Sequence, residues 1–392
     1  MAAPKLRFKE FDQIWDNLKY KDVLTIKYGK DHKLLNEGEF PVYGTGGVMR
    51  YADQYLHDGE SILIGRKGTI DQPKYVNEKF WTVDTLFYTQ IKDNSIPLFL
   101  YQHALQVNWL GLNEATGVPS LNTTSINNVD IALPSKEEQT KIATFLSAVD
   151  EKISQLTQKH ALLSQYKQGM MQKLFSQQIR FKADDGCEFG DWRKVKFSES
   201  FVFHNTNSYS RALLAEVGEV MNIHYGDIHT KFSMLFDVSK EIVPFLNDQI
   251  DFTKIAENQF LKEGDLVIAD ASEDYKDIGK AIEVVHLNNQ KVVAGLHTYI
   301  ARPVQPFALG FCGYLMQTFE VREQIKKLAT GISVLGISKT NIGKVEIKLP
   351  CLEEQTKIAN FLSSIDQKID VVSEQLEQAK LWKKGLLQQM FV

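Results

Sequence analysis

The sequence predicts an α+β protein with an internal pseudo-twofold repeat, in which two unlike modules are separated by a pair of long coiled-coil helices. Three observations point to it. The heptapeptide EEQTKIA occurs at Glu137–Ala143 and again at Glu353–Ala359, 216 positions later, each time just after a Leu-Pro pair. Leu133–Ile153 aligns with Leu349–Ile369 without a gap, and 15 of the 21 positions are identical. Self-similarity at a fixed offset marks a duplicated unit, yet most of the sequence between the two copies barely matches.

The elements follow in order. The first module, residues 1–134, opens on "LRFK" (Leu6–Lys9), with Trp15 after it, and carries the β-rich run "SILIGRKGTI" (Ser61–Ile70) between Gly/Asn/Asp turns. It ends in a strand, "NVDIALP", that Pro134 stops. The first helix is expected over 135–178. Glu137 and Glu138 fall in its first turn, where carboxylates favour the positive end of the helix dipole. Its apolar positions step by four and three from Ile142, Leu146 and Val149 to Leu174, a heptad seam of more than four repeats. The second module, residues 179–350, reopens with "IRFK" (Ile179–Lys182) and Trp192. It contains the β-rich "DLVIADAS" and "HTYIARP", one late helix over "FCGYLMQTFEVREQIKKLAT" (Phe311–Thr330), and the strand "KVEIKLP". The second helix, 351–392, repeats the seam from Ile358 to Met390, and neither helix contains Gly or Pro until Gly169 and Gly385, at equivalent places. A narrow apolar stripe wants a matching stripe, and the chain supplies one, so an intramolecular pair is favoured over a parallel homodimer; the stripe leaves the orientation open. Because "RFK" follows the first helix and also precedes the first module, the start of the chain is expected beside Val392.

Composition narrows the function. Hydrophobic residues make up 43% and charged residues 24%, a globular balance. No apolar run has the length of a membrane span, and the first residues lack the apolar stretch of a signal peptide. Cys187, Cys312 and Cys351 lie far apart and form neither a disulfide framework nor a zinc pattern, which fits a reduced, cytoplasmic protein. Residues 1–132 carry 14 Lys and Arg against 16 Asp and Glu, and residues 180–348 carry 20 against 23. Net charge therefore gives no support to nucleic-acid binding, and any basic surface must be local or come from a partner.

The repeated "LPSKEEQTKIATFLSAVDEKI" and "LPCLEEQTKIANFLSSIDQKI" resemble the conserved helices of the DNA specificity subunits of type I restriction–modification systems. "FPVYGTGGVMRYADQYLHDGESILIGRKGTI" (Phe40–Ile70) and "WTVDTLFYTQI" (Trp81–Ile91) look like the interior of that family's target-recognition domains. The second module departs from this version, with "VMNIHYGDIHT" (Val220–Thr230) in place of the Tyr-Gly-rich loop, which implies a different half-site. The resemblance implies a non-catalytic subunit that reads a bipartite double-stranded DNA site, one half per module. It implies two methyltransferase subunits as partners, with S-adenosylmethionine bound there and not on this chain, and a motor-nuclease subunit joining them; no membrane is involved.

A search for catalytic motifs agrees. There is no N-P-P-F/Y methylase motif, no phosphate loop and no metal-spaced histidine pair. "EDYK" (Glu273–Lys276), with Asp265 and Asp270 nearby, carries a nuclease-like D-x-K spacing, against which stands a solvated acidic loop. Candidate DNA contacts are residues on turns that glycine lets approach a duplex. In the first module they are Tyr43, Arg50, Arg66 and Lys67, with Ser120 and Asn122. In the second they are Asn222, His224, Tyr225, Lys276, His297, Ser338 and Lys339. Arg and Lys suit guanine O6 and N7, Asn suits adenine, and hydroxyls suit bases or phosphates. Taken singly, each has an ordinary solvated side chain as its competing reading. Arg66 and Lys67 rank first, since adjacent cations between Gly65 and Gly68 do not suit a core. Two rival functions remain at this point: an assembly scaffold whose modules bind protein, and a nuclease built on Asp270–Lys276.

Overall fold

The computed structural model describes residues 4–391 and divides into two compact units. The first holds residues 1–159 and 372–392; the second holds 160–371. The dividing points thus fall inside both long helices, Lys136–Phe175 and Leu352–Met390, which are continuous over 40 and 39 residues.

In the first unit a six-stranded sheet runs in the order Leu24–Tyr28, Leu86–Ile91, His57–Gly65, Lys74–Thr82, Phe40–Gly44, Gly47–Ala52. All neighbours are antiparallel except Phe40–Gly44 with Lys74–Thr82. The expected strand before Leu-Pro is present as Asp130–Leu133 and pairs antiparallel with Asp16–Lys19, Asp16 opposite Leu133. One hydrophobic core joins this module to both helix segments of the unit, with Ile142, Leu146 and Val149 meeting Leu386, Leu387 and Met390. The start of one helix therefore lies beside the end of the other, so the segments are antiparallel. Asp150 and Lys383 bridge them at 2.5 Å.

The second unit repeats the plan on a different sheet. Five strands, Phe201–His204, Thr298–Pro303, Leu266–Ala269, Ala281–His286 and Leu235–Asp237, form one sheet, and a four-stranded sheet centred on Val220–Ile223 forms another. The closing pair recurs, with Arg193 opposite Leu349. Leu174 and Phe175 pack with Ile358, Leu362 and Ile365, and Lys167 meets Asp366 at 2.5 Å. These are the residues 216 positions on from Asp150 and before Lys383, so the same antiparallel bridge appears in each unit. Inside each unit the seam joins the chain's own two helix segments, the pairing the heptads favour. The long late helix expected over Phe311–Thr330 is two helices, Phe311–Met316 and Phe319–Leu328. Thr318 is extended and its hydroxyl donates to the Leu315 carbonyl, the local side-chain bond by which Thr competes with helix continuation.

Val392 lies outside the described residues, but its neighbours answer the expectation about the chain's start. The Leu6 N–H donates to the Gln389 carbonyl at 2.9 Å, and the Ile179 N–H donates to the Lys173 carbonyl at 3.3 Å. These pairs are equivalent under the repeat. Among the described residues no helix is long and apolar enough to cross a membrane, and the three cysteines are free.

Candidate nucleic-acid interface

Each module is fastened to its helices by the same side chains. Glu138 is 1% exposed and takes a two-pronged bond from Arg7, Nε at 2.7 Å and Nη2 at 2.8 Å, plus the Trp15 indole at 3.2 Å. Arg7 also donates to the Gln13 carbonyl. Glu354, fully buried, takes Arg180 at 3.0 and 2.7 Å and Trp192 at 3.0 Å, while Arg180 donates to the Gly190 carbonyl. Both acidic residues of each pair lie in the first turn of their helix, as expected, and one of them does more. The second of each pair is a buried anchor, charge-matched and hydrogen-bonded as a buried carboxylate must be. Gln139 and Gln355 add a staple: their carbonyls accept the N–H of Ile96 and Ala308, and their amides donate to Pro134 and Pro350. EEQ is therefore conserved within the chain as a docking device.

On these identical anchors the loops differ. In the first unit the turn Gly65–Gly68 meets the loop 117–122. The Leu121 N–H donates to Arg66, the Gly68 N–H to Pro119, and Lys67 bridges Ser120. Gly65 is required, because a Cβ there would sit 2.1 Å from the Thr69 carbonyl, and Gly68 takes φ +90°. The structure so brings together Arg66, Lys67, Ser120 and Asn122. Lys67 is exposed; Arg66 lies over the Tyr28 ring at 5.5 Å and donates to the Asp84 carbonyl. Beside them opens a cleft of about 540 Å³ lined by Asp31, His32, Lys33, Thr45, Met49 and Thr85, among others. Asn122 caps the helix Thr123–Asn127, accepting from Ser125 and donating to Glu114. Two placements are corrected. Tyr43 and Arg50 sit on the strands flanking the Gly44–Gly47 turn, not on it. Tyr43 donates to Glu78, and Arg50 to the Leu35 carbonyl.

In the second unit the candidates gather around Tyr225. His224 lies 4.7 Å and His297 5.3 Å from its ring centre. His297 adopts φ +59° and pairs with Asp270 at 3.2 Å. The His224 imidazole is lowered by burial and by Arg211, and its Nδ1 accepts from Gly226. Lys339 donates to Asn205 and lies 5.2 Å over Tyr299; Ser338 caps the helix Lys339–Gly343. Asn222 is a correction: it is fully buried in the strand Val220–Ile223, accepts from Asn207, and reaches no surface, because its neighbour Ile223 is fully buried too and both faces of the strand are covered there. Lys276 stands apart. Its carbonyl accepts from Arg322, and it lines a separate cleft of about 580 Å³ with Lys280, Phe175 and Trp192.

Two acids named with the nuclease reading are already engaged: Asp265 is buried in a two-pronged pair with Arg302, and Asp270 pairs with His297. Sequence reasoning also missed residues. Arg211 and Lys231 reach the buried Asp227 at 3.1 and 3.0 Å beside the His224–Tyr225 turn. Only the Asp227–Lys231 spacing of four was a sequence signal; nothing announced Arg211.

Comparison with known proteins follows the same division. The profile of the type I restriction modification DNA specificity domain matches residues 13–165 and again 190–381. The chain is 26% identical over 349 residues to the type I restriction enzyme MjaVIII specificity subunit of Methanocaldococcus jannaschii, covering 85% of this chain and 76% of that protein. Its fold is similar to the crystal structure of the type I restriction-modification S subunit from M. genitalium, with a TM-score of 0.66 and 15% identity over 100% of this chain and 99% of that one. A second similar structure comes from work on complex assembly and conformational transition of the type I R-M system, with a TM-score of 0.54, 15% identity and 97% of each chain covered.

Proposed function

We propose, from the premise that this chain belongs to the type I restriction-modification DNA specificity family, that it reads a bipartite double-stranded DNA site. Each module takes one half-site, and the chain holds two methyltransferase subunits. The chain itself does no chemistry: S-adenosylmethionine binds the partners, and a motor-nuclease subunit joins them.

One observation carries this reading. Arg7–Glu138–Trp15 and Arg180–Glu354–Trp192 are the same anchor, while the loops they support differ in sequence, length and sheet. Identical fixtures under unlike surfaces suit a neighbour met twice and two targets met once each. The loop residues supply donors fit for base edges and phosphates: Arg66, Lys67 and Ser120 on one module, His297, Lys339 and Ser338 on the other. Net charge of −4 argues that the chain alone binds weakly, since it faces one phosphate charge per ~1.7 Å of duplex.

A gel-shift selection on a degenerate duplex library, with and without the methyltransferase subunits, tests the reading. We expect two short selected segments separated by an unselected gap, and much weaker retention without partners. A chain that enters the complex yet selects no sequence would be a protein-binding scaffold.

A further inference from the structure

We propose that Val118 and Ile332 are specificity-determining residues, each setting its aliphatic side chain against the 5-methyl group of a thymine in its own half-site. The proposal rests on the DNA-reading function above. It starts from a loop that the chain builds twice. Thr116-Gly117-Val118 and Thr330-Gly331-Ile332 open loops that end at the caps Asn122 and Ser338. The roots are equally fixed: Leu121 is 4% and Ile337 3% exposed, and Ile126 and Ile342 are fully buried. At the tips the burial reverses. Val118 is 68% exposed and Ile332 101% exposed.

A lone exposed aliphatic residue is ordinary. A branched aliphatic residue kept exposed at the same place in both copies of the repeated Thr-Gly loop is not explained by packing, because neither side chain has a core to serve. What surrounds them points to a duplex. The Gly68 N–H donates to the Pro119 carbonyl and Ser120 bridges the exposed Lys67, which ties the residues after Val118 to that turn. The second loop returns through Gly336 and Ile337 to Ser338 and Lys339, and the Ile337 N–H donates to the carbonyl of Asp270, the partner of His297. Both loops are restricted near the tip. Pro119 disfavours the helical region for Val118, and Gly331, at φ +127°, packs so closely on Val334 that a Cβ would meet its carbonyl at 2.1 Å. Branched side chains lose little rotamer freedom on contact. They are smaller than an aromatic wedge that parts stacked bases, and they suit the thymine methyl, the one apolar mark in the major groove. The second loop is two residues longer from Gly to cap, so each tip is placed to meet its own base.

The test uses the full chain assembled with its methyltransferase subunits. The selected site of the wild type is first obtained from a randomised duplex library. Val118→Ser and Ile332→Ser are then measured against it, and each thymine of each half-site is replaced by deoxyuridine in turn. We expect each variant to lose about tenfold in affinity, at one half-site only and a different one for each. One deoxyuridine in that half-site should weaken the wild type equally and leave the matching variant unchanged. Thermal unfolding should not move, since both positions are exposed. Equal weakening on every sequence, an unchanged selection profile, or indifference of the wild type to deoxyuridine would each overturn the proposal while leaving the DNA-reading function standing. If the wild type selects no sequence, the parent reading fails first and this one with it.

Discussion

Arg7 and Glu138 show how one residue pair decides whether a module is held. Removing a partner from a buried ion pair leaves an uncompensated charge, which is far worse than never having built the pair. Arg7→Ala strands a carboxylate that is 1% exposed, and we expect roughly 3 kcal/mol of destabilisation, with Arg180→Ala matching it in the second unit. Denaturant unfolding of each variant checks this; losses below 1 kcal/mol would reduce the clamps to surface pairs. Arg66→Ala should weaken one half-site by roughly 1–3 kcal/mol if the side chain leaves Tyr28 for a base edge. Uniform weakening across sequences would make it a phosphate contact. Two buried groups give opposite pH responses. His103, bonded to Tyr20, is pushed down to about 4 by burial, and Glu283, which accepts from Gly310 and Gly313, is pushed up to about 7 by burial. The His103 contribution is present above the ordinary value of 6.5 and lost as pH falls toward 4. The Glu283 contribution is present below 4.5 and lost as pH rises toward 7. The two offset where their windows overlap, so Glu283→Gln should let stability rise with pH between 4.5 and 6.5 and His103→Gln should let it fall there, as thermal unfolding across the range will read.

Among the elements, the long helices were the most legible, because a heptad seam and a literal repeat are local signals. The strands before Leu-Pro were legible for the same reason. The late helix was misread as one because a single hydroxyl, that of Thr318, ends it. The sites were legible only in part. Arg66 and Lys67 were legible as turn residues and Asn122 as a cap, but their meeting was not, since it rests on the long-range backbone bonds Gly68–Pro119 and Leu121–Arg66. Asn222 and Arg50 went astray because inward or edge placement on a strand depends on which sheet face is covered, which no short motif states. Arg211 was invisible, since Asp227 holds it across 16 positions. The helices also offer a clean test. At Gly169 and Gly385 an added Cβ would meet nothing within 4 Å, so Gly169→Ala and Gly385→Ala should each stabilise by about 0.5–1 kcal/mol. Destabilisation would mean that these positions are not the open helix sites described. A four-residue insertion after Leu156 should disrupt the seam, since it turns the following stripe away from its partner, whereas a heptad keeps the stripe in register.

For the whole molecule, the repeat makes the chain behave as a cycle cut at one point. The Leu6–Gln389 bond repeats Ile179–Lys173, so a chain beginning near Phe175, with the present ends joined by a short linker, should fold and assemble like the parent. Failure of that chain to fold would contradict the pseudo-twofold account. The larger claim is that a duplicated frame presents two different readers to one DNA molecule. Sequencing the methylated bases left on DNA by the chain assembled with the methyltransferase subunits proposed above tests that claim. The account predicts methylated adenines within two short specific segments separated by a gap of fixed length and free sequence, with Arg66→Ala blurring one segment and leaving the other sharp. A single continuous recognition sequence, or a substitution at Arg66 that blurs both segments alike, would contradict it.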